Sequence, residues 1–404
     1  MGALSNNQKV FFELLRTGLW GEADTNLNLN VNDNHFEGVE WEKIYQLAQE
    51  QSVQGLVLQG IEWFKNHNLN VLETSGTSER ARADLDLNIP QILLLQWIGE
   101  VQVIEQRNKD MNIFIANLIE KLRRNDIYAL LVKGQGIAQC YEKPLWRCSG
   151  DIDLFLSNDN YQKAKSFLMP LASEIEKEYL REMHLGMCVD GWVVELHGSL
   201  YGGLSSRIEQ ELDKVHQDTF FGGAVRSWNN NGTQVFLLKA ENDVFYVFSL
   251  ILQHFFMEGI GLRQLCDWCR LMWTYKDSLN YELLESRIKR AGLMSEWKAF
   301  GALAIEYLGF PKDSMPLLNV DVDLNANLKR KADRIMEFIL KSGNMGHNRD
   351  MSHFSKYPYL IRKCVSMGRR IGDLINHARI FPLDSLRFFP RIMFNGVRSA
   401  IRGE

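Results

Sequence analysis

Proline is scarce, with eight in 404 residues, and no stretch is apolar enough to span a bilayer. The longest greasy run, Val244 to Met257, covers 14 residues and is interrupted by Ser249, Gln253 and His254. A membrane span needs about 20, so this run is expected to be a buried helix and no transmembrane span is expected. The opening residues, MGALSNNQKV, lack a charged start followed by an apolar segment, and no signal peptide is read there. Gly2 invites N-myristoylation, but that motif needs Ser or Thr at position 6, where Asn6 stands. The six cysteines (140, 148, 188, 266, 269 and 364) lie mostly in apolar or strand-like surroundings. They are expected to be reduced core thiols of a cytoplasmic protein rather than disulfides. No internal repeat or low-complexity tract is visible.

What is present is ordinary globular material. Apolar content of 46% and charged content of 24% argue against disorder, and the length suggests two or three domains. The net charge of −4 is unevenly spread: residues 356–404 hold ten Lys/Arg against three acids, +7, which leaves −11 for the rest. A basic tail on an acidic body suggests a local electrostatic task or a charged outer helix.

Along the chain, residues 7–66 show helical periodicity, with Val10, Phe11, Leu14 and Leu15 on one stripe and Trp41, Ile44, Leu47 and Ala48 on another. A polar stretch at 73–88 is a loop or hinge, and a long helix is expected over Gln91–Arg124 after Pro90. The pattern then changes to a strand at Ile127–Val132, a turn at Lys133–Gly136, a helix at Ile137–Tyr141, a strand at Ile152–Leu156 and a helix at Asn158–Leu168. Tyr179–Val189 and Trp192–His197 flank Asp190-Gly191, a strong hairpin signal. Thr233–Leu238 is a further strand, and the remainder is helical to about residue 345. The expected class is α+β. It divides into an N-terminal helical region (1–90), an α/β core (91–240), a helical domain (241–345) and a basic C-terminal helical segment (346–404).

The chemistry is concentrated in Gly150-Asp151-Ile152-Asp153-Leu154. Residues two apart on a strand point to the same face, so Asp151 and Asp153 converge there, whereas a helix would splay them. Two convergent carboxylates repel unless a cation lies between them, and Mg²⁺ suits such oxygen ligands. A solvated strand end would give the same spacing. In Trp-Val-Val-Glu-Leu-His, Glu195 and His197 share one face while Trp192, Val194 and Leu196 share the other. Glu195 is thus an acid among apolar neighbours, costly to bury unless paired or metal-bound; an exposed edge carboxylate is the plainer alternative. The strand ending in Lys133-Gly134-Gln135-Gly136 offers backbone N–H groups and a lysine to a phosphate. It matches neither the G-x-x-x-x-G-K-[ST] nor the G-x-G-x-x-G spacing. Arg147, four residues before Asp151, could reach triphosphate oxygens, or be a surface arginine.

Together these segments resemble the nucleotidyltransferase superfamily to which DNA polymerase beta belongs. More narrowly, they resemble the bacterial family of uncharacterised nucleotidyltransferases. That family's strand ending in Lys-Gly, then Ala and Tyr, then Pro and Arg before Gly-Asp-Ile-Asp-Leu, is matched by Lys133, Gly134, Ala138, Tyr141, Pro144, Arg147 and Gly150 to Leu154. Its acid followed closely by histidine is matched by Glu195 and His197, and its later helical motif by His254, Leu262, Arg263 and Asp267. The resemblance covers roughly residues 95–275. It implies a polymerase-beta-like core embedded in a mainly helical chain. It also implies Mg²⁺-dependent transfer of NMP from an NTP to an acceptor hydroxyl, with release of pyrophosphate. Asp151 and Asp153 would hold two Mg²⁺ ions, and Glu195 would complete one site and help the acceptor lose its proton. Lys133, Gly134, Gln135, Arg147 and Gly150 would bind the nucleotide, with His197 and His254 as possible substrate contacts. The acceptor is left open among a small molecule, a glycan precursor and a protein side chain. The wider superfamily places Gly-Ser in the phosphate-binding turn, so here phosphate would rest on backbone amides and Lys133. The alternatives are a degenerate nucleotide- or partner-binding module and a toxin-like enzyme modifying tRNA.

Two other signals point to structure. Cys266-x-x-Cys269 sits in an apolar helical pattern with no second pair for zinc. His347-Asn-Arg-Asp350-Met-Ser-His353 reads as a polar loop rather than an ion site. At the C-terminus, Leu386, Phe389, Met393, Val397, Ala400 and Ile401 recur on one side, with Arg387, Arg391, Arg398 and Arg402 on another and Pro390 kinking or starting the helix. An outer helix docked on its own protein, with its arginines to solvent, is favoured there over peripheral membrane or RNA contact.

Overall fold

The computed structural model describes residues 4–21, 36–74, 87–346 and 359–401. The motif His347–His353 lies outside the described residues, as do Gly2, Arg402 and most of the polar stretch at 73–88.

The chain is α+β. A mixed seven-stranded sheet runs in the order β3-β4-β5-β2-β1-β7-β6. Its strands are β1 (Ala129–Val132), β2 (Ile152–Leu156), β3 (Ala172–Ile175), β4 (His184–Val189), β5 (Trp192–His197), β6 (Val225–Asn230) and β7 (Thr233–Leu238). β1 pairs antiparallel with β2 and parallel with β7, and β2 runs parallel to β5. Asp190 and Gly191 take φ of 51° and 81°, the left-handed pair a tight hairpin between β4 and β5 demands. The expected strand at 179–189 is shorter than its pattern, because only an isolated bridge joins Tyr179 to His184.

Alternation along the strands gives the sheet two different faces. Leu131, Ile152, Leu154, Leu156, Val194, Leu196, Val235 and Leu237 form one buried cluster with Met111, Ile115 and Leu118 of helix α4 (Gln91–Arg123). Tyr161, Ala164 and Leu168, from the helix over Asn158–Leu168, close the same face. The opposite face places Leu130, Val132 and Phe155 in a larger core with the helical body. Helix α8, Ala240–Met257, crosses that core and contains the greasy run; Phe245, Phe248, Ile251, Leu252 and Phe255 are buried along it. No helix among the described residues is long and apolar enough to cross a membrane.

At the N-terminus the helices over Asn6–Trp20 and Gln54–Thr74 touch backbone to backbone. A Cβ on Gly18 would lie 1.8 Å from the carbonyl oxygen of Leu56, and one on Gly60 would lie 2.0 Å from that of Leu14. Cys266 and Cys269 are buried and free within the helix over Leu262–Thr274, and burial pushes both thiols up, so they are core residues.

The C-terminal helix, Pro382–Ile401, corrects one expectation: Pro390 lies inside it, and its docked side is not the expected apolar stripe. Phe381, Ser385 and Phe388 are buried, whereas Leu386 is 72% exposed. Arg387 and Arg391 turn inward instead of to solvent. Arg391 Nη2 donates to both carboxylate oxygens of Glu209, each at 2.7 Å, and Arg387 donates to the carbonyl of Ala291 at 3.0 Å. The acid and the open carbonyl on neighbouring helices give these two guanidinium groups charge-assisted hydrogen bonds, which hold them on the docked side.

Candidate active site

Strand register builds the site. β1, β2 and β5 lie side by side, and Val132, Asp153 and Glu195 fall on one cross-strand line. Because β2 and β5 run parallel and in register, Asp153 and Glu195 point to the same face. Asp151 stands two residues earlier on the same side. One oxygen from each of Asp151, Asp153 and Glu195 lies within 4.8 Å of the others. Asp153 is 1% exposed.

Burying three carboxylates together requires compensation, and Lys133, His197 and His184 supply nitrogen partners. Lys133 Nζ lies 2.6 Å from Asp153 Oδ1, and His197 Nε2 lies 2.8 Å from the same oxygen. His184 Nε2 lies 3.2 Å from Glu195 Oε2, and His197 Nε2 3.4 Å from it. The electrostatics follow. Asp151 is raised above the usual carboxylate range, by Asp153 first and by burial second. Burial works against the charge on Glu195, but hydrogen bonds from His184 and His197 and the charge of Lys133 hold it well below that range. Burial also opposes protonation of His197, and its hydrogen bonds to Asp153 and Glu195 win, raising it above 6.5. For Lys133, burial is outweighed by Asp153, Tyr246, Asp151 and Glu195, so the ammonium is firmly charged.

Lys133 occupies an unusual backbone position. It ends β1 at φ 57° and ψ −150°, a region almost reserved for glycine, and Gly134 follows at φ 42°. The sharp exit from the strand starts the short helix over Gly134–Ala138 directly, where the sequence suggested a turn first. The ion pair with Asp153 ties the strained residue to the site.

Other expected residues go elsewhere. Arg147 places Nε and Nη2 on the two carboxylate oxygens of Asp267, each at 2.6 Å, and the Tyr141 hydroxyl donates to the same carboxylate at 2.7 Å. The expected phosphate-facing cation is thus bound into a buried ion pair, with Nη1 donating to the carbonyl of Cys148 at 3.1 Å. Gln135 is 1% exposed, and its Nε2 donates to Asn108 Oδ1 at 2.8 Å and Ser149 Oγ at 3.0 Å. Asn108 in turn donates to the carbonyls of Leu145 and Arg147, each at 2.8 Å. This network fixes the segment entering β2. Gly150 is open: nothing lies within 4 Å of a Cβ built on it. His254 pairs with Glu258 one turn along its own helix, at 3.1 Å, and joins neither metal-capable group.

A match to the sequence profile described as "Uncharacterised nucleotidyltransferase" runs over residues 37–309, more than half of the chain. The chain belongs to this family of uncharacterised nucleotidyltransferases. Membership makes it a transferase, and the expected class and family are both met. Among solved structures it is similar to an antigenic nucleotidyltransferase-like protein from Paracoccidioides brasiliensis, at 16% identity and a TM-score of 0.29. That match covers 46% of this chain and 87% of the other. No functionally curated protein matches it.

Two residues at this candidate site were not picked out from the sequence, and a third was marked only by a family motif. His184 joins Glu195 and His197, and its signal was available: counting back across the Asp190-Gly191 hairpin sets His184 opposite His197. Tyr246, on α8, is buried and feels the charges of Lys133, Asp153 and Glu195, with burial pushing its hydroxyl up. Arg263, noted only as part of a family motif, has a buried Nε without a hydrogen-bond partner, and Nη1 donates to the carbonyl of Cys148 at 3.0 Å. Burial and the neighbouring Arg147 lower its pKa, while the charges of Asp267, Cys148 and Asp151 oppose that shift. No local pattern marks Tyr246, because it reaches the site only through helix packing.

Proposed function

We propose that the chain transfers a nucleoside monophosphate from an NTP to an acceptor hydroxyl, releasing pyrophosphate, with Asp151, Asp153 and Glu195 as the ligands for Mg²⁺. The convergence of these three carboxylates from adjacent parallel strands carries the reading. The donor set is all oxygen, which fits Mg²⁺. Such an ion, when bound, would supply charge neutralisation at the phosphoryl group.

The chain's own groups have separable tasks. The acceptor oxygen forms a bond to the α-phosphorus, the bond to the bridging oxygen breaks, and pyrophosphate leaves with that electron pair. Glu195, on the strand beside the aspartate pair, completes one cation site and takes the acceptor's proton. Lys133 exchanges Asp153 for phosphate oxygens, and Arg263 supplies the second cation. Gly134 and Gly150 allow close approach of the nucleotide. Arg147 and Gln135 act through the loop they hold. The acceptor class stays as broad as the sequence left it: small molecule, glycan precursor or protein. The free cysteines among the described residues support a cytoplasmic setting.

One observation favours a second reading, a module that binds nucleotide without turnover: Asp153 Oδ1 is already shared by Lys133 and His197. Incubating the protein with Mg²⁺ and each labelled NTP separates the two. Pyrophosphate release or self-labelling that disappears in Asp153→Ala supports transfer. Nucleotide binding without either product supports the second reading.

A further inference from the structure

The carboxylate triad does not account for the imidazoles beside it. His184 and His197 lie opposite each other on β4 and β5, their rings nearly parallel at 18° with centroids 4.7 Å apart. Tyr179 stacks on the outer face of His184, also at 18°. The stack sets both Nε2 atoms toward one atom, Glu195 Oε2. We propose that His184, His197 and Glu195 form a nitrogen-rich site for an imidazole-binding divalent cation of the zinc class, adjoining the all-oxygen site and sharing Glu195 with it.

Three arguments support this assignment. The first is geometric. N–H···O bonds cluster at about 2.9 Å, whereas the contacts to Glu195 are 3.2 Å and 3.4 Å. Ligand atoms at about 2.0–2.1 Å from a tetrahedral zinc are roughly 3.3 Å apart. The pair of distances matches an edge of such a tetrahedron, so an ion could take the place of the two long hydrogen bonds with little movement of the ligand atoms. The second is chemical. Two imidazoles and one carboxylate are donors that suit zinc and its neighbours, while Mg²⁺ prefers oxygen. The third concerns charge and access. Asp151, Asp153 and Glu195 outnumber Lys133 as charged neighbours, and His184 remains 25% exposed, open to an entering ion. His197 Nε2 now faces Asp153 Oδ1, so a cation on that nitrogen replaces this contact and leaves Asp153 to Lys133. Glu195 then becomes the link through which one cation influences the other.

The site shares Glu195 with the transfer reading but does not depend on it, and it is tested without measuring turnover. Metal-stripped full-length protein is titrated with Co²⁺, a coloured stand-in for Zn²⁺. One equivalent should bind with the visible bands of a tetrahedral, nitrogen-containing site, resist excess Mg²⁺ and be displaced by Zn²⁺. His184→Asn should weaken Co²⁺ binding by at least about 10-fold, with the metal-free melting temperature unchanged. Asp151→Asn should keep the bands. Failure of the wild type to bind Co²⁺, or equal affinity in His184→Asn, overturns the proposal. Loss of the bands in Asp151→Asn alone also overturns it, by placing the cation on the aspartate pair.

Discussion

Two cation–carboxylate pairs lie in neighbouring parts of the molecule and are built differently. Arg147 and Asp267 meet through two contacts of 2.6 Å, each side chain 6% exposed, and Tyr141 satisfies the carboxylate further. Lys133 and Asp153 meet through one contact of 2.6 Å, the lysine is 27% exposed, and the oxygen it uses is shared with His197. A guanidinium fork on a carboxylate is rigid and complete, whereas an ammonium is a point charge on a flexible stem. The first pair is architecture. The second holds its charges in a form that another ligand can replace.

The largest effect should come from breaking the second pair chemically. Asp153→Asn should reduce nucleotidyl transfer by at least about 10³-fold, because a ligand worth several kcal/mol to the transition state is lost. Its melting temperature should change little, and a large fall in stability with residual activity would reverse the roles assigned to the pairs. Next, Arg147→Met leaves Asp267 buried and unpaired, and should cost about 3–5 kcal/mol in urea unfolding. A folded, stable Arg147→Met with weakened NTP binding would instead return Arg147 to the nucleotide.

A buried acid without a cation sharpens the contrast. Glu296 is fully buried, neither carboxylate oxygen has a hydrogen-bond partner as an ionised group, and burial together with Asp384 raises its pKa well above 4.5. A folded pKa above the unfolded one contributes stability at pH below about 4.5. That contribution is lost as pH rises through the folded value. Glu296→Gln should therefore become the more stable protein as pH rises, by roughly 1 kcal/mol at neutral pH, measured by unfolding across pH. A constant difference would remove Glu296 as the titrating group. The smallest stability effect is expected of Lys133→Gly. It relieves the positive φ, and the buried Asp153 keeps its contact with His197, so stability should stay within about 1 kcal/mol of the parent. Transfer should fall all the same, and unchanged transfer would leave Lys133 a purely structural residue.

Much of the sheet was legible before any coordinates. Ile152–Leu156 and Asn158–Leu168 have the bounds their patterns suggest, because alternation changes to helical spacing just past Ser157. Two strands escaped. β3 and β6 are edge strands whose side chains are mostly exposed or half-buried, so neither has a run of apolar residues. Asn231-Gly232, with φ of 48° and 85°, is the turn that joins β6 to β7 and was the available clue.

The sequence alone determined which carboxylates could converge. A two-residue step along a strand and a two-residue hairpin are local geometry, and they set Asp151 with Asp153 and aligned Glu195 with His197. Only the tertiary structure decided which cation meets which carboxylate. Arg147 and Asp267 are 120 residues apart, and Lys133 reaches Asp153, 20 residues on, only through the pairing of β1 with β2. Charge partners are chosen by packing of the helical body against the sheet, and local periodicity holds no record of that choice.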